Sequence, residues 1–311
     1  MKIKELQQSE NFEEREDVCP GCQNKCQVHC YTFANGKTYY SGNNCERVYS
    51  NNTEGAYKGV NMFEEKYRLL FEKRPSSVQG GLTVGIPRGL GIYEDYPFWQ
   101  TFFQCCGIRT VLSSVSTNRL YEKGVRTIVA DNICFPAKLM HGHVMDLISK
   151  GVDRIFYPWV VYERAEDKQA KNSFNCPIVS GYSDVLKSTI RSEDKYGIPI
   201  DAPTISFKDE KLLQRSLCEY IENILRDGVA NTEKMAEYAV KQALDAQKQY
   251  LERIEERNKQ VFAEAEKAGR MVILLAALPL QNILNLQTRL FCFFIQTSVV
   301  HTPLKLNHAI T

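Results

Sequence analysis

Leu82-Thr-Val-Gly-Ile86 opens the part of the chain that decides the fold, because this short β-rich run is followed by a helical pattern and then by another such run. The alternation continues to about residue 207. The predicted strands are Leu82-Thr-Val-Gly-Ile86, Thr110-Val-Leu112, Thr127-Ile-Val-Ala130, Arg154-Ile-Phe-Tyr157 and Ile178-Val-Ser180. The helices predicted between them cover residues 96–106, 116–123 and 136–150. Strand and helix repeated in this way predict an α/β protein with a parallel, doubly wound sheet.

Glycines and a proline mark the boundaries of these predicted helices. Gly107, Gly124 and Gly151 each follow a helical pattern, at the position where a helix commonly ends in a glycine. Pro136 stands where a helix begins, and proline is favoured in the first turn because its missing N–H has no partner there anyway. The boundary signals therefore agree with the alternation.

The composition of the chain predicts four regions. Residues 1–74 form a cysteine-rich, metal-binding segment, residues 82–207 the α/β domain, residues 208–269 a helical segment, and residues 270–311 the truncated start of a further α/β unit. The helical segment carries an apolar stripe that recurs every three or four residues, which is typical of a helix packed on a core. Its members are Met235, Ala239, Ala243, Ala246, Tyr250 and Ile254. Met271-Val-Ile-Leu-Leu-Ala276 predicts a buried strand that opens the last region.

Charge and hydropathy exclude two classes of protein. A net charge of +2 gives no electrostatic reason to expect nucleic-acid binding. The N-terminus is polar and lacks the apolar centre of a secretion signal, and the most apolar stretch, residues 271–280, is too short to span a bilayer. We therefore expect a soluble protein of the cytoplasm. In that reducing compartment the eleven cysteines indicate metal binding or redox chemistry more than disulfides.

The strongest chemical signal is Cys19-Pro-Gly-Cys22-Gln-Asn-Lys-Cys26, followed by Cys45 in Ser41-Gly-Asn-Asn-Cys-Glu-Arg47. A pair of thiols two residues apart, a third one turn later and a distant fourth predict a tetrahedral thiolate site. The spacing does not separate structural zinc from an iron–sulfur cluster. Cys30 and His29 are alternative ligands that would replace one thiol.

A second signal is Cys134 in Asn132-Ile-Cys-Phe-Pro136, between a predicted strand and a predicted helix. Ligands of open α/β sheets bind at the carboxyl ends of the strands, and a helix N-terminus favours a negatively charged group. Cys176 stands before Pro177 in a similar context. For both cysteines the alternative is a small buried hydrophobic side chain. His141 and His143 do not share a helix face, so we expect them near the surface or supporting other residues rather than holding a metal.

Two further stretches bear on the same edge of the sheet. Gly85-Ile-Pro-Arg88-Gly-Leu-Gly91 follows the first strand but matches neither a Walker loop nor a dinucleotide-binding fingerprint, so we predict no nucleotide site there. Tyr157-Pro-Trp159-Val-Val-Tyr-Glu163 follows the fourth strand and is expected to line the crevice.

Several of these motifs resemble a known family. The two cysteine motifs are similar to the cysteine segment of large acyl-CoA dehydratase activase-related proteins, where that segment follows actin-like ATPase modules. The part that comes after it resembles subunits of 2-hydroxyacyl-CoA dehydratases and double-cubane cluster proteins. The motifs that carry this second likeness are Gly85-Ile-Pro-Arg88, Tyr93-Glu-Asp-Tyr-Pro-Phe-Trp99, Cys134-Phe-Pro-Ala-Lys138, His141-Gly-His143 and Phe156-Tyr-Pro158.

The resemblance implies an iron–sulfur electron-transfer or accessory module of an anaerobic activase system. Activases of this group use ATP hydrolysis to drive an electron from a [4Fe–4S] cluster onto a dehydratase. By this likeness Cys134 and Cys176 are expected to bind a cluster, and Cys45 rather than Cys30 to complete the N-terminal site. The implied partners are actin-like ATPase activase modules and a 2-hydroxyacyl-CoA dehydratase-like protein.

Three departures from the family pattern qualify this expectation. This chain carries no ATPase module, so it is expected not to hydrolyse ATP alone. Trp159 stands where some relatives carry another cysteine, and the family pattern stops after Ala276, as in a truncated or frameshifted reading. No acid–base pair is assignable, which leaves open whether the chain is itself an enzyme. The alternatives are a zinc-stabilised structural or binding module and an inactive fragment of a larger activase.

Overall fold

The computed structural model describes residues 12–34, 36–43, 48–51, 60–71, 81–164, 173–225, 232–270, 272–273 and 298–299. The strands are β1 (Phe12–Val18), β2 (Gln27–Phe33), β3 (Thr38–Ser41), β4 (Thr83–Ile86), β5 (Arg109–Leu112), β6 (Arg154–Phe156), β7 (Trp159–Tyr162), β8 (Ile200–Asp201), β9 (Thr204–Ser206), β10 (Val272–Ile273) and β11 (Ser298–Val299). The helices are α1 (Met62–Leu70), α2 (Gly91–Glu94), α3 (Tyr96–Cys105), α4 (Asn118–Gly124), α5 (Phe135–Ser149), α6 (Pro177–Ile190), α7 (Ser192–Tyr196), α8 (Glu210–Leu225) and α9 (Thr232–Lys267).

The central sheet has four strands in the order β5-β4-β6-β8, and all of its pairings are parallel. Val84 at the centre lies opposite Thr110 on one side and Arg154 on the other. This confirms the predicted α/β class. Because β4 is followed in the chain by β5 on one side and later by β6 on the other, the winding direction reverses beside β4. In such sheets the crevice at the reversal is where ligands bind.

The predicted strand Thr127-Ile-Val-Ala130 is wrong. Residues 125–127 form a 3₁₀ turn, and Val129 is 73% exposed instead of lying in the sheet. The Thr127 hydroxyl donates a hydrogen bond to the carbonyl of Gly124 (2.8 Å), which satisfies it locally. A 3₁₀ turn and an irregular loop join α4 to α5, and the two helices pack closely against each other, with Gly124 beside Gly142. β-branched residues follow their packing context more than an intrinsic preference.

The predicted strand Ile178-Val-Ser180 is also wrong, because these residues form the first turn of α6. Pro177 occupies the first helical position, where proline is favoured. The apolar residues that follow it were interpreted as a strand, although Pro177 indicates a helix start. Val179, Tyr182 and Leu186 are buried at helical spacing. The sequence therefore predicts three of the four strands of the central sheet, β4, β5 and β6, whereas the two-residue strand β8, which takes the fourth place, was not predicted.

The largest core lies where α3 packs between the sheet and α9. Phe98, Trp99, Phe102 and Phe103 of α3 are each 0% exposed. Trp99 and Phe103 contact the ring of Phe156 on β6 at centroid distances of 4.7 and 5.0 Å. Burial of this much aromatic surface is the dominant stabilising term of the domain, since each large ring removes ~150–250 Å² from water.

The helical region predicted for residues 208–269 is confirmed as two helices, α8 and α9. Four members of the predicted stripe, namely Ala239, Ala243, Ala246 and Tyr250, are buried on α9. β10 pairs in parallel with β11. It comprises Val272 and Ile273 of the predicted strand, and the other residues of that strand lie outside the described residues.

The first described segment is a three-stranded antiparallel sheet, β1-β2-β3. Its hairpin turns at Gly36, whose φ of +77° is one that glycine adopts without strain. One face of this sheet buries Val28 and Cys30 against Cys19, with Tyr40 and Tyr49 packed around them. This small cluster gives the segment little apolar burial of its own.

Candidate functional site

Three neighbouring strands of the central sheet end at one edge. Arg88 comes two residues after β4, Ser113 follows β5 directly, and Tyr157 follows β6 directly. Parallel pairing brings these three carboxyl ends together. The helices that return from this edge begin there too, so their N-terminal N–H groups face the same region.

Cys134 caps one of these helices. It is the residue before α5, in an extended conformation (φ −60°, ψ 146°), and its side chain is exposed. Lys138 holds the preceding loop by donating from Nζ to the carbonyl of Asp131 (2.6 Å). An exposed cysteine at this position is not the small buried hydrophobic side chain that the sequence left as an alternative.

Cys176 holds the equivalent position at the start of α6. It is also exposed, has similar backbone angles (φ −55°, ψ 136°), and is followed at once by Pro177. The two cysteines were singled out by different sequence signals, and the fold gives them the same local setting. For Cys176, as for Cys134, exposure excludes the buried alternative.

A hydrogen bond joins α5 to α6 about two turns after each cysteine. His141 of α5 and Tyr182 of α6 share a bond of 2.9 Å between Nε2 and the phenol oxygen. His141 comes seven residues after Cys134, and Tyr182 six residues after Cys176. At 1.5 Å per helical residue the cysteines lie about 10.5 and about 9 Å back along their own helices.

His141 is fully buried, so of the two expected settings, near the surface or supporting other residues, the structure excludes the first. Its Nδ1 lies 2.7 Å from the hydroxyl oxygen of Thr127, whose proton goes to the carbonyl of Gly124. Nδ1 therefore carries the ring proton, and Nε2 accepts the proton of Tyr182. Burial lowers the pKa of His141 to about 4, so the ring is neutral near pH 7.

His143 is also buried, 1% exposed, and faces the opposite side of α5. Its two ring nitrogens lie 2.8 Å from the Ser113 hydroxyl and 3.0 Å from the Ser116 hydroxyl. The backbone N–H of Arg88 donates to the same Ser113 oxygen (2.8 Å). Burial, together with the charge of Arg88, lowers the pKa of His143 to about 3. His143 thus ties the ends of β4 and β5 to α5.

Asp146 completes this support one turn further along α5. Its carboxylate accepts hydrogen bonds from Lys123 (2.6 Å) and from the backbone N–H of Ser114 (2.7 Å), and Lys150 lies 2.9 Å away. Although burial opposes ionisation, these donors hold the pKa of Asp146 below its usual value. The carboxylate is charged and paired, which makes it a structural anchor rather than a free acid or base.

Arg88 contacts the aromatic residues of α1 and its C-terminal end. Its guanidinium lies 4.6 Å from the centre of the Phe71 ring and donates to the Tyr67 hydroxyl. It therefore joins α1 to the end of β4, and the expectation of no nucleotide site in this loop stays a prediction. Trp159 packs on α6, with its ring 3.4 Å from the position that a Cβ on Gly181 would take.

The N-terminal cysteines lie apart from this edge, in the connection between β1 and β2. The N–H of Cys19 donates to the carbonyl of Cys26 (2.8 Å), and that of Lys25 to the carbonyl of Cys22 (3.3 Å), which folds the motif into a tight turn. Cys19 is buried, Cys26 half-buried and Cys22 exposed. Cys45, the predicted fourth ligand, lies outside the described residues.

Within the described ranges no three Cys, His, Asp or Glu side chains are grouped closely enough to hold a metal ion. This holds for Cys19, Cys22 and Cys26 as well as for the sheet edge with Cys134 and Cys176. A four-thiolate site in the N-terminal segment therefore stays a prediction that depends on Cys45.

The family of the chain follows from a comparison with protein-family models. The model of the CoA enzyme activase uncharacterised domain matches residues 83–286. The chain belongs to this family. The CoA enzyme activase domain thus includes the whole central sheet, both N-cap cysteines and the buried histidines, and it begins after the N-terminal cysteine segment. No curated protein and no solved structure matches the chain.

Two residues of the activase domain edge were not recognised as site residues from the sequence. Tyr157 was expected only to line the crevice, and Tyr182 was not singled out, because the residues just before it, Ile178-Val-Ser180, were predicted to form a strand. The usable signal was Pro177, since a helix beginning there puts Tyr182 on the same buried face as Val179.

In the part of the chain that the structure describes, no helix is both long and apolar enough to cross a membrane.

Proposed function

We propose that this activase-family chain is an iron–sulfur electron-transfer or accessory module, with Cys134 and Cys176 as ligands of the cluster. The observation that supports the proposal most directly is their shared setting. Both thiols are exposed, and both belong to the residue before a helix that begins at the carboxyl edge of the parallel sheet. Family membership alone supports a role beside a CoA enzyme but no specific chemistry.

The residues present supply part of the ligand set that an iron–sulfur cluster needs. Thiolates are the ligands that iron–sulfur clusters use, and two long helices, α5 and α6, direct their positive ends at a group that carries negative charge. Among the described residues only two thiols meet these conditions, so the remaining ligands come from elsewhere. A cluster bound here accepts and passes on single electrons. The chain contributes the ligands, the positive helix ends and the buried wall behind them.

The proposal includes two kinds of partner. An electron from ATP-dependent, actin-like activase modules would arrive at the exposed cysteines, and a 2-hydroxyacyl-CoA dehydratase-like protein would receive it. The exposure of Cys134 and Cys176 favours exchange with another protein, because electron transfer needs the centre near the surface. A cytoplasmic location belongs to the proposal, since a reducing compartment keeps these thiols free. The N-terminal cysteines Cys19, Cys22, Cys26 and Cys45 are proposed as a second site, for zinc or for iron.

Anaerobic purification and reconstitution with iron and sulfide test this function. We expect brown protein with several irons per chain, and we expect C134A and C176A each to lose most of the visible absorbance of the sheet-edge cluster. C218A is the matched control, because Cys218 is half-buried on α8 with its thiol toward Glu222. Its absorbance should equal that of the wild type.

Two results would count against the proposal. Stoichiometric zinc without iron favours the structural alternative, in which the N-terminal cysteines hold zinc and the sheet edge binds no metal. Unchanged spectra in both C134A and C176A place any cluster elsewhere in the chain. A C19A variant then shows whether that cluster belongs to the N-terminal segment.

A further inference from the structure

The small sheet β1-β2-β3 carries aromatic rings on the face opposite Val28 and Cys30, because successive side chains of a strand point to opposite faces. The residues with rings on this face are Phe12, His29, Tyr31, Phe33 and Tyr39. The ring centre of Tyr31 lies 5.4 Å from that of Phe12 and 6.4 Å from that of Tyr39, so the rings form a row across the three strands. Phe12 is still 46% exposed. The three strands have no extensive contact with any other described element.

Two carboxylates stand on the same face at the β1 edge of the sheet. Glu14 lies opposite Tyr31, and Glu16 lies opposite His29. Nδ1 of His29 lies 3.0 Å from the Glu14 carboxylate, yet the two glutamate side chains remain 47% and 75% exposed. β1 as a whole has four carboxylates and one guanidinium, which leaves a net charge of −3. Rings beside negative charge attract a lysine or arginine side chain, whose stem packs on the rings while its charge meets the carboxylate.

The backbone of β1 offers hydrogen-bonding groups on its outer side. In the described part of the chain, β1 pairs with β2 alone and ends the sheet. The N–H of Cys19, just after β1, donates towards β2, to the carbonyl of Cys26 (2.8 Å). Since the direction of these groups alternates along a strand, the N–H groups of Glu14 and Glu16 point away from β2. An extended segment of another chain can pair with such an edge.

We propose that β1 binds an extended, basic segment of a partner protein as a fourth strand of this sheet. Such a strand directs every second side chain to the aromatic face, so lysines or arginines two residues apart lie beside Glu14 and Glu16. A second copy of β1 does not fit, because like charges directly opposite each other destabilise a strand pair. The surface lies before residue 83, where the activase domain begins, so this inference does not depend on the function proposed for Cys134 and Cys176.

Titration of the full chain with a synthetic peptide tests the strand pairing. The probe is as long as β1, with lysine at every second position and valine between. We expect it to bind and to slow amide hydrogen exchange at Glu14 and Glu16, whose N–H groups it covers. The same peptide with N-methylated backbone amides cannot pair as a strand and should bind at least about tenfold more weakly. Equal binding of the two peptides overturns the proposal. No binding of either overturns it too, and the carboxylates then only keep the edge unpaired.

The variant E14Q/E16Q tests the charge. It keeps the size of both side chains and should bind the lysine peptide about tenfold more weakly, because two exposed ion pairs are lost. E252Q/E256Q is the matched control, since it removes two exposed carboxylates from α9 and should bind like the wild type. Equal losses in the two variants would show that binding follows net charge alone. Unchanged binding by E14Q/E16Q would place the peptide elsewhere, and dimers that the peptide dissociates would make a second copy the occupant. Each of these three results contradicts the proposal.

Discussion

Replacing Gly142 by alanine is expected to destabilise the folded chain by about 3 kcal/mol, although alanine is the better helix former by ~1 kcal/mol. Gly142 lies in α5 where α4 crosses it. A Cβ there would stand 2.2 Å from the carbonyl oxygen of Leu120 and 2.8 Å from its carbon. Both are backbone atoms, so no side-chain rotation relieves the contact. Steric repulsion therefore outweighs the gain in helix propensity.

Gly181 supplies the matched control for this experiment. It also lies inside a long helix, α6, but a Cβ there would only touch the Trp159 ring at 3.4 Å. G181A should therefore leave the free energy of unfolding unchanged or raise it by up to ~1 kcal/mol. Urea denaturation of both variants measures the difference. Equal stability of G142A and G181A would show that α4 and α5 do not cross as closely as the structure has them.

The close crossing of α4 and α5 also explains one failure of the sequence prediction. Thr127, Ile128 and Val129 have the composition of a strand, but Gly124 stands against His141 and Gly142 of the next helix. A local sequence pattern does not show that Gly124 and Gly142 lie against each other in the fold. The pattern did predict β4, β5 and β6, because their apolar runs are bounded by turns and separated by helices.

The candidate site was predictable in one part only. Cys134 was recognisable because it stands between a predicted strand and a predicted helix, and Cys176 because it stands before Pro177. The family resemblance alone led us to expect that they bind a cluster, and the structure places each at a helix start. The burial of His141 and His143 was not predicted. Their helix α5 packs against α4 on one side and α6 on another, so even its polar residues lie inside. A helix buried on several faces gives no amphipathic signal from which such positions follow.

The two buried histidines lead to the second large effect, a loss of stability in mild acid. Both rings are neutral in the folded chain, with pKa values lowered to about 4 for His141 and about 3 for His143. In the unfolded chain each returns to ~6.5. The unfolded state therefore binds more protons below pH 6.5, so stability is full above that pH and falls as the pH falls towards 4.

From pH 7 to pH 5 the two histidines together should lower the free energy of unfolding by about 4 kcal/mol, that is ~2 kcal/mol for each ring. Urea denaturation at half-unit steps between pH 7 and pH 5 measures this loss. Near pH 5 the slope should correspond to about two protons taken up on unfolding. Asp146 contributes little in this window, because it stays ionised and paired in the folded chain.

H143Q identifies the source of these protons. Glutamine keeps a hydrogen-bonding side chain towards Ser113 and Ser116 but has no group that titrates, so the uptake near pH 5 should fall from about two protons to about one. The variant is expected to be less stable at pH 7 and yet less sensitive to acid. An unchanged slope would mean that His143 is protonated in the folded chain. Protonation of His141 would also break a hydrogen bond, because a doubly protonated ring cannot accept the hydroxyl proton of Tyr182. The bond that aligns α5 with α6 behind Cys134 and Cys176 would then be lost.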